Sequence, residues 1–260
     1  MVEYIQGWKT EVLKNDSLKV SVIPELGAKI VQIRDKQANY EWLWDYPTCP
    51  IRARQPNDNY DEHDITGFNK CFPNIGINTY PGDPNITYPD YGELWSQAWS
   101  CQKSDNSIVT TTTGKVFSYK FHREITLKNC SLVFSYVIEN TGQESFKGFW
   151  SDHPLFHAVE GMQILLSGNP PITKEFSFGG RIGSDGVDSY SGHLDTYTWP
   201  NTVGESGRSY DMSQITLAEP LTDKVVLASP NDGEITLLNP HQKCAVQFSF
   251  DPQEIPFVGI

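Results

Sequence analysis

Nine consecutive residues, Phe149 to His157 (F-W-S-D-H-P-L-F-H), bring together two histidines, a carboxylate and three large aromatics. An imidazole has an ordinary pKa of about 6.5, so it can give or take a proton near neutrality. Pro154 removes a backbone N–H directly after His153 and biases His153 itself to extended geometry. Held that way among aromatic walls, His153 could serve as a proton donor. The same setting also suits a core histidine with a satisfied hydrogen bond, and the stretch alone does not separate the two. His157 reads as a supporting residue.

A second stretch, Pro89 to Trp95 (P-D-Y-G-E-L-W), carries two further carboxylates. Asp90 follows a proline and reads equally as a turn residue or a ligand group. Glu93 reads as an exposed turn carboxylate or as a ligand group. Arg52 and Arg54 read as surface cations with reach to a polar ligand. Asp58, Asp61, Glu62, His63 and Asp64 crowd one segment, but their irregular spacing fits no calcium loop and reads as a solvated acidic loop.

The elements that must position these groups are strands. Leu18 to Ile23 alternates apolar and polar residues, the period of a half-buried strand. Pro24 to Gly27 forms a turn in which Gly27 can take positive φ. Lys29 to Arg34 and Tyr40 to Trp44 continue an antiparallel meander. From Asp45 to Pro89 the periodicity vanishes under recurrent proline, and the aromatics Tyr46, Tyr60, Phe68, Phe72, Tyr80 and Tyr88 mark ordered excursions that wall a cleft. Strands return at Ile108–Thr113, Val116–Leu127, Ser131–Glu139 and Ile164–Leu166. A second long loop region runs from Gly168 to Asp211. Thr222–Ser229, Glu234–Leu238 and Ala245–Phe250 follow, with Asn231-Asp232-Gly233 as a hairpin turn. No apolar stripe of helical period is sustained, so the chain reads as all-β: one domain, 1–260, a large antiparallel β-sandwich with long loops.

Composition narrows the function. A formal net charge of −12 repels phosphate backbones and anionic lipid, which argues against nucleic-acid and membrane-surface roles. Five dispersed cysteines, Cys49, Cys71, Cys101, Cys130 and Cys244, form no metal-ligand spacing and read as small buried side chains in a reducing compartment. The start M-V-E-Y-I-Q-G-W-K-T lacks the pattern of a signal peptide, and no apolar run approaches the length of a membrane span. The chain reads as soluble and cytoplasmic.

Three stretches in order resemble the galactose mutarotase-like superfamily, in its aldose 1-epimerase-related branch. Val20 to Ile30 is similar to that family's strand–P-E-x-G-G/A–strand opening. Gly67 to Pro73, followed by Pro89 to Trp95, is similar to a G-x-x-x-x-F-P segment followed by D-H-G-E-x-W. Trp150 to Phe156 is similar to x-x-H-P-x-F. The resemblance implies a β-supersandwich with a sugar cleft and cofactor-free, metal-free acid–base chemistry. It implies that a histidine protonates the ring oxygen of a cyclic aldose while a glutamate takes the anomeric proton. His153 aligns with that acid, and Asp90, Tyr91, Glu93 and Trp95 fall in the sugar-binding segment. Trp95, four residues before Trp99, could be core or could offer its indole face to a pyranose.

Two departures from the pattern are visible. Tyr91 stands where relatives carry histidine; a phenol stays neutral at pH 7 but can orient a hydroxyl. Lys70 stands where relatives often carry an acid. The chain also ends at D-P-Q-E-I-P-F-V-G-I, within what reads as a core strand, so the resemblance implies a C-terminal truncation that omits the glutamate base. The expectation is an aldose 1-epimerase-like enzyme acting on a hexose or hexose phosphate. The alternative is a catalytically impaired sugar-binding protein of the same fold.

Overall fold

A computed structural model of the chain describes residues 3–45, 50–63, 65–178, 188–189, 197–204, 207–218 and 222–260, with backbone alone at 173–178 and 188–189. Tyr46, Cys49 and Asp64 lie outside the described residues. Among those described, the regular structure is β-strand plus two short 3-10 turns. No helix is long and apolar enough to cross a membrane. The chain divides into two compact units, Met1–His157 and Ala158–Ile260.

The first unit opens with four antiparallel neighbours: β1 (Glu3–Ile5), β2 (Trp8–Lys14), β3 (Leu18–Ile23) and β4 (Lys29–Asp35). The turn between β3 and β4 places Gly27 at φ +63°, as its position predicts. The expected third strand shrinks to β5 (Tyr40–Glu41) against β4, with an isolated bridge from Leu43 to Phe156. β6 (Phe68–Cys71) joins β4, and β7 (Asn78–Thr79) with β8 (Thr87–Tyr88) forms a short ribbon. β9 (Ser100–Lys103), β10 (Ser107–Thr113), β11 (Tyr119–Lys128) and β12 (Ser131–Asn140) make a second antiparallel sheet. β13 (Ser151–Pro154) returns to the first sheet beside β6, giving the order β1-β2-β3-β4-β6-β13.

The period of two decides what each strand presents to which side. Leu18, Val20 and Val22 of β3, Ile30 of β4 and Phe68 of β6 share a buried core with Ile108, Phe121, Ile125 and Leu127 of the second sheet. Leu132, Phe134 and Tyr136 of β12 close that core, while Val133 and Val137 point outward and stay exposed. Burying apolar surface at about 25 cal/mol per Å² is what holds the two sheets face to face.

β6 falls in the segment that read as strandless, and the reason is local. Its four residues F-N-K-C are all buried, because the second sheet covers one face and loops cover the other. A strand covered on both sides need not alternate in polarity. Four strands likewise cross the 168–211 region read as loop. Not every cysteine is buried: Cys71 is, Cys101 and Cys244 are partly so, and Cys130 is exposed in the β11–β12 turn.

In the second unit β14 (Gln163–Leu166) is followed by β15 (Ile172–Phe178), β16 (Asp188–Ser189), β17 (Asn201–Val203), β18 (Ser209–Asp211), β19 (Thr222–Ala228), β20 (Glu234–Asn239), β21 (Cys244–Ser249) and β22 (Phe257–Gly259). They build two small antiparallel sheets, β14-β20-β21 and β16-β15-β19-β22, and the ribbon β17-β18. Ile172, Trp199, Met212, Val225 and Leu227 are its buried core. The Asn231-Asp232-Gly233 turn forms, with Gly233 at φ +66°, but the strands it joins lie in different sheets rather than in one hairpin. The closing segment pairs as β22 with β19, and Ile260 exchanges backbone hydrogen bonds of 2.8 and 2.9 Å with Val225.

Candidate functional site

Pairing of β6 with β13 sets the site. His153 lies opposite Asn69, and Asp152 lies opposite Lys70. The alternation sends Lys70 and Asp152 toward the sandwich core, and Asn69 and His153 to the other face, where the loops gather. Asn69 Nδ2 donates to the Tyr60 hydroxyl at 3.0 Å, and its Oδ1 accepts from Arg54 Nη1 at 3.2 Å. Arg54 also donates to the Trp95 carbonyl at 3.1 Å and lies 4.9 Å from the centre of the indole.

Around His153 the aromatics form one connected group. Tyr91 meets the imidazole edge-on at 5.3 Å between ring centroids. Tyr60 stacks on Tyr91 at 3.8 Å and contacts His153 at 6.1 Å and Trp95 at 5.2 Å. His63, paired with Asp58 at 3.0 Å, adds an edge contact to Trp95. His153 and Tyr91 are partly exposed, whereas Tyr60 and Trp95 are buried.

Backbone geometry aims Tyr91. Its own φ is +53°, a left-handed conformation uncommon for a side chain of this size, and Gly92 follows at φ +73°. Tyr91 N–H donates to the Ile75 carbonyl at 2.6 Å, and Glu93 N–H donates to the Phe72 carbonyl at 2.8 Å. A Cβ on Gly92 would collide with the Phe72 backbone. The same segment rests on the β3–β4 turn: Gly27 N–H donates to the Gln97 carbonyl at 2.6 Å, and a Cβ there would sit 2.6 Å from the Leu94 carbonyl oxygen.

Burial pushes the Tyr60 and Tyr91 phenols above the ordinary tyrosine range. Both are neutral at physiological pH, so this face offers hydroxyl donors and acceptors rather than phenolates.

The residues singled out from sequence take distinct places. His153 and Tyr91 come together at the partly exposed face. Asp90 Oδ2 accepts from Tyr60 N–H at 2.8 Å, and its carbonyl accepts from Trp95 Nε1 at 2.7 Å, so it ties the platform together. Trp95 is 1% exposed and lies beneath Tyr60 and Arg54 rather than presenting a free indole face. Glu93 is not an exposed turn carboxylate. It is buried, accepting from Lys115 N–H at 2.8 Å, Val116 N–H at 2.9 Å and the Tyr119 hydroxyl at 3.1 Å.

His157 is exposed and stacked on Tyr40, outside this group, and Arg52 is exposed. Arg54, read as a surface cation with reach to a ligand, and Tyr60, read as a cleft-walling aromatic, both join the site buried, and Asn69 joins them although sequence assigned it no role. An aromatic within a proline- and aspartate-rich segment was the available signal for Tyr60. For Asn69, only strand pairing reveals that it shares a face with His153.

No family model matches the chain, and neither does any curated protein. Solved structures do. A protein of Escherichia coli K12 provisionally named aldose 1-epimerase superposes with a TM-score of 0.60 at 14% identity, over 92% of this chain and 76% of that one. A galactose mutarotase-like protein of Clostridium acetobutylicum gives 0.51 at 13% identity, over 100% and 93%. A TPR-domain containing protein of Parabacteroides distasonis gives 0.56 at 10% identity, over 94% of this chain and 36% of that one. The chain therefore has the mutarotase-like β-sandwich fold. At these identities the likeness concerns the fold alone.

Proposed function

We propose that this chain binds a cyclic aldose against the His153–Tyr91 face and interconverts its α and β anomers, with His153 as the acid that protonates the ring oxygen. The observation that carries the reading is the placement of His153: partly exposed, 5.3 Å edge-on from Tyr91, on the face shared with Asn69 and Arg54. Protonation of the ring oxygen by His153, with the anomeric hydroxyl proton passing to solvent water, opens the ring; the aldehyde rotates and closes on its other face as the two protons return. Tyr91, neutral, orients a sugar hydroxyl, and Asn69 and Arg54 hold the platform behind it. A hexose or hexose phosphate suits this face, and a cytoplasmic setting suits the cysteines, none of which is disulfide-bonded among the described residues.

A second reading, sugar binding without turnover, is favoured by a specific observation. Four carboxylates of this region are engaged, Asp90 by Tyr60, Glu93 by the 115–116 turn, Asp58 by His63 and Asp152 by Lys70, whereas Asp61, whose charge acts on Tyr91, is exposed. The deciding experiment is NMR exchange spectroscopy between anomers of D-glucose, D-galactose and their 6-phosphates, beside calorimetric binding of the same sugars. Exchange above the buffer rate that His153→Ala abolishes supports the enzyme. Binding without added exchange supports the second reading, and neither binding nor exchange refutes both.

A further inference from the structure

We propose that the Lys70–Asp152 ion pair, its ammonium fully buried and its carboxylate partly so, is a register lock that fixes β13 on β6 in the one frame that turns His153 outward, making both its members positioning residues. The claim rests on the role proposed for His153, but it concerns where the imidazole is held.

Lys70 is 0% exposed, and its Nζ lies 2.9 Å from Asp152 Oδ1. The ammonium sits 3.5 Å from the centre of the Phe68 ring, with Phe134 at 5.7 Å and Tyr136 at 5.9 Å. Asp152 Oδ2 accepts the Tyr136 hydroxyl at 2.6 Å, so a strand of the opposite sheet grips the same carboxylate. Arg123, fully buried, adds a second cation whose field favours the carboxylate charge. Two dipeptides therefore face each other across β6 and β13. Asn69 and His153 serve the site; Lys70 and Asp152 serve the core.

A strand that slips by one residue turns every side chain to its other face. Here that slip would carry His153 into the core and Asp152 into the loops, leaving an ammonium buried among aromatic rings without its acid. A buried charge that loses its partner is strongly disfavoured, and this adds to the frame preference that the buried apolar face already imposes; an apolar pair in the same place lacks the added penalty. Register specification is the best-attested use of such buried polar pairs.

The test reads the His153 ring itself by two-dimensional 1H–15N NMR, together with the cross-strand contact between His153 and Asn69. Wild type should give one ring signal set and that contact. Asp152→Asn, and the charge-free pair Lys70→Met with Asp152→Leu, should give a second His153 environment populated at a tenth or more. In the charge-free pair this should appear although the unfolding temperature stays within a few degrees of wild type. The reversed pair Lys70→Asp with Asp152→Lys should restore a single set. A folded charge-free variant that keeps the single wild-type set overturns the proposal, as does a folded reversed pair that shows two. Failure of the charge-free variant to fold also overturns it, because the pair would then be a general requirement of the fold. Anomer exchange is not read, so loss of the proposed function leaves this test standing.

Discussion

Replacing Glu93 by alanine separates scaffold from ligand contact at a residue that sequence alone leaves between the two. The carboxylate receives three donors, two backbone N–H groups and a tyrosine hydroxyl, in a site 6% exposed. Alanine strands all three. A buried donor left without an acceptor costs about 1–3 kcal/mol. Water entering the vacated volume recovers part of this, so the expected loss is about 3–5 kcal/mol. That is a large part of the roughly 5–15 kcal/mol by which domains are stable. At about 2–4 °C per kcal/mol the transition should fall by roughly 10 °C. Glu93→Gln should cost only about 1 kcal/mol, because the amide oxygen can still accept from Lys115 and Val116 while its NH2 donates to the Tyr119 oxygen. Urea unfolding followed by tryptophan fluorescence gives these values, and calorimetry on the folded fraction gives sugar affinity. If Glu93→Ala shifts stability by less than about 1 kcal/mol yet abolishes sugar binding, the reasoning is refuted and Glu93 contacts the ligand.

Four further outcomes are expected. His153→Ala should slow anomer exchange by roughly 10²-fold, with sugar affinity changed far less, as NMR exchange and calorimetry will show. Tyr91→Phe keeps the stack on Tyr60 and should leave stability within about 0.5 kcal/mol, while sugar affinity drops by roughly 3- to 10-fold for one lost hydrogen bond. Gly92→Ala forces a Cβ onto the Phe72 backbone from a left-handed conformation, and should cost about 3 kcal/mol or more in urea unfolding. Burial lowers the Lys70 ammonium from 10.5 to about 8, against the raising field of Asp152 and with Arg123 adding to the lowering. The folded chain thus binds fewer protons than the unfolded one between these values. Relative to Lys70→Met, wild-type stability should therefore rise from about pH 8 to about pH 10.5, by no more than about 1.4 kcal/mol per pH unit. A flat difference across that window would show that Lys70 holds its proton normally.

How much of this was legible in the sequence depended on whether a residue's partner lay nearby in the chain. The Leu18–Ile23 strand, the Gly27 turn and the long β10–β12 strands announce themselves through local alternation and turn chemistry. β6 does not: its F-N-K-C is buried on both faces, and no periodicity marks such a strand. The same holds for the site. His153 and Tyr91 stood out through proline, glycine and motif resemblance, and they do meet. Glu93 and Trp95 were visible as chemical types, but only tertiary contacts show that their polar groups serve a turn and a loop carbonyl. Arg54 read as surface because an arginine is usually exposed; only tertiary contacts between separate loops and β6 show it buried and held by Asn69 and a main-chain carbonyl.

The meeting of Gly27 with Leu94 and Trp95 is main chain against main chain, with no side chain between them. Such a seam has no adjustable part. Shortening or lengthening a side chain cannot move the seat of Trp95 by a fraction of an ångström, and any Cβ added at residue 27 pries the seam open. The opposite wall is different: Arg54, Tyr60 and His63 approach Trp95 through side-chain atoms, each of which can be resized. The site thus has one wall set by the path of the backbone and one open to variation. A population selected for a new ligand should gather its changes between residues 54 and 63 and at the partly exposed Tyr91, and leave Gly27 and Gly92 untouched.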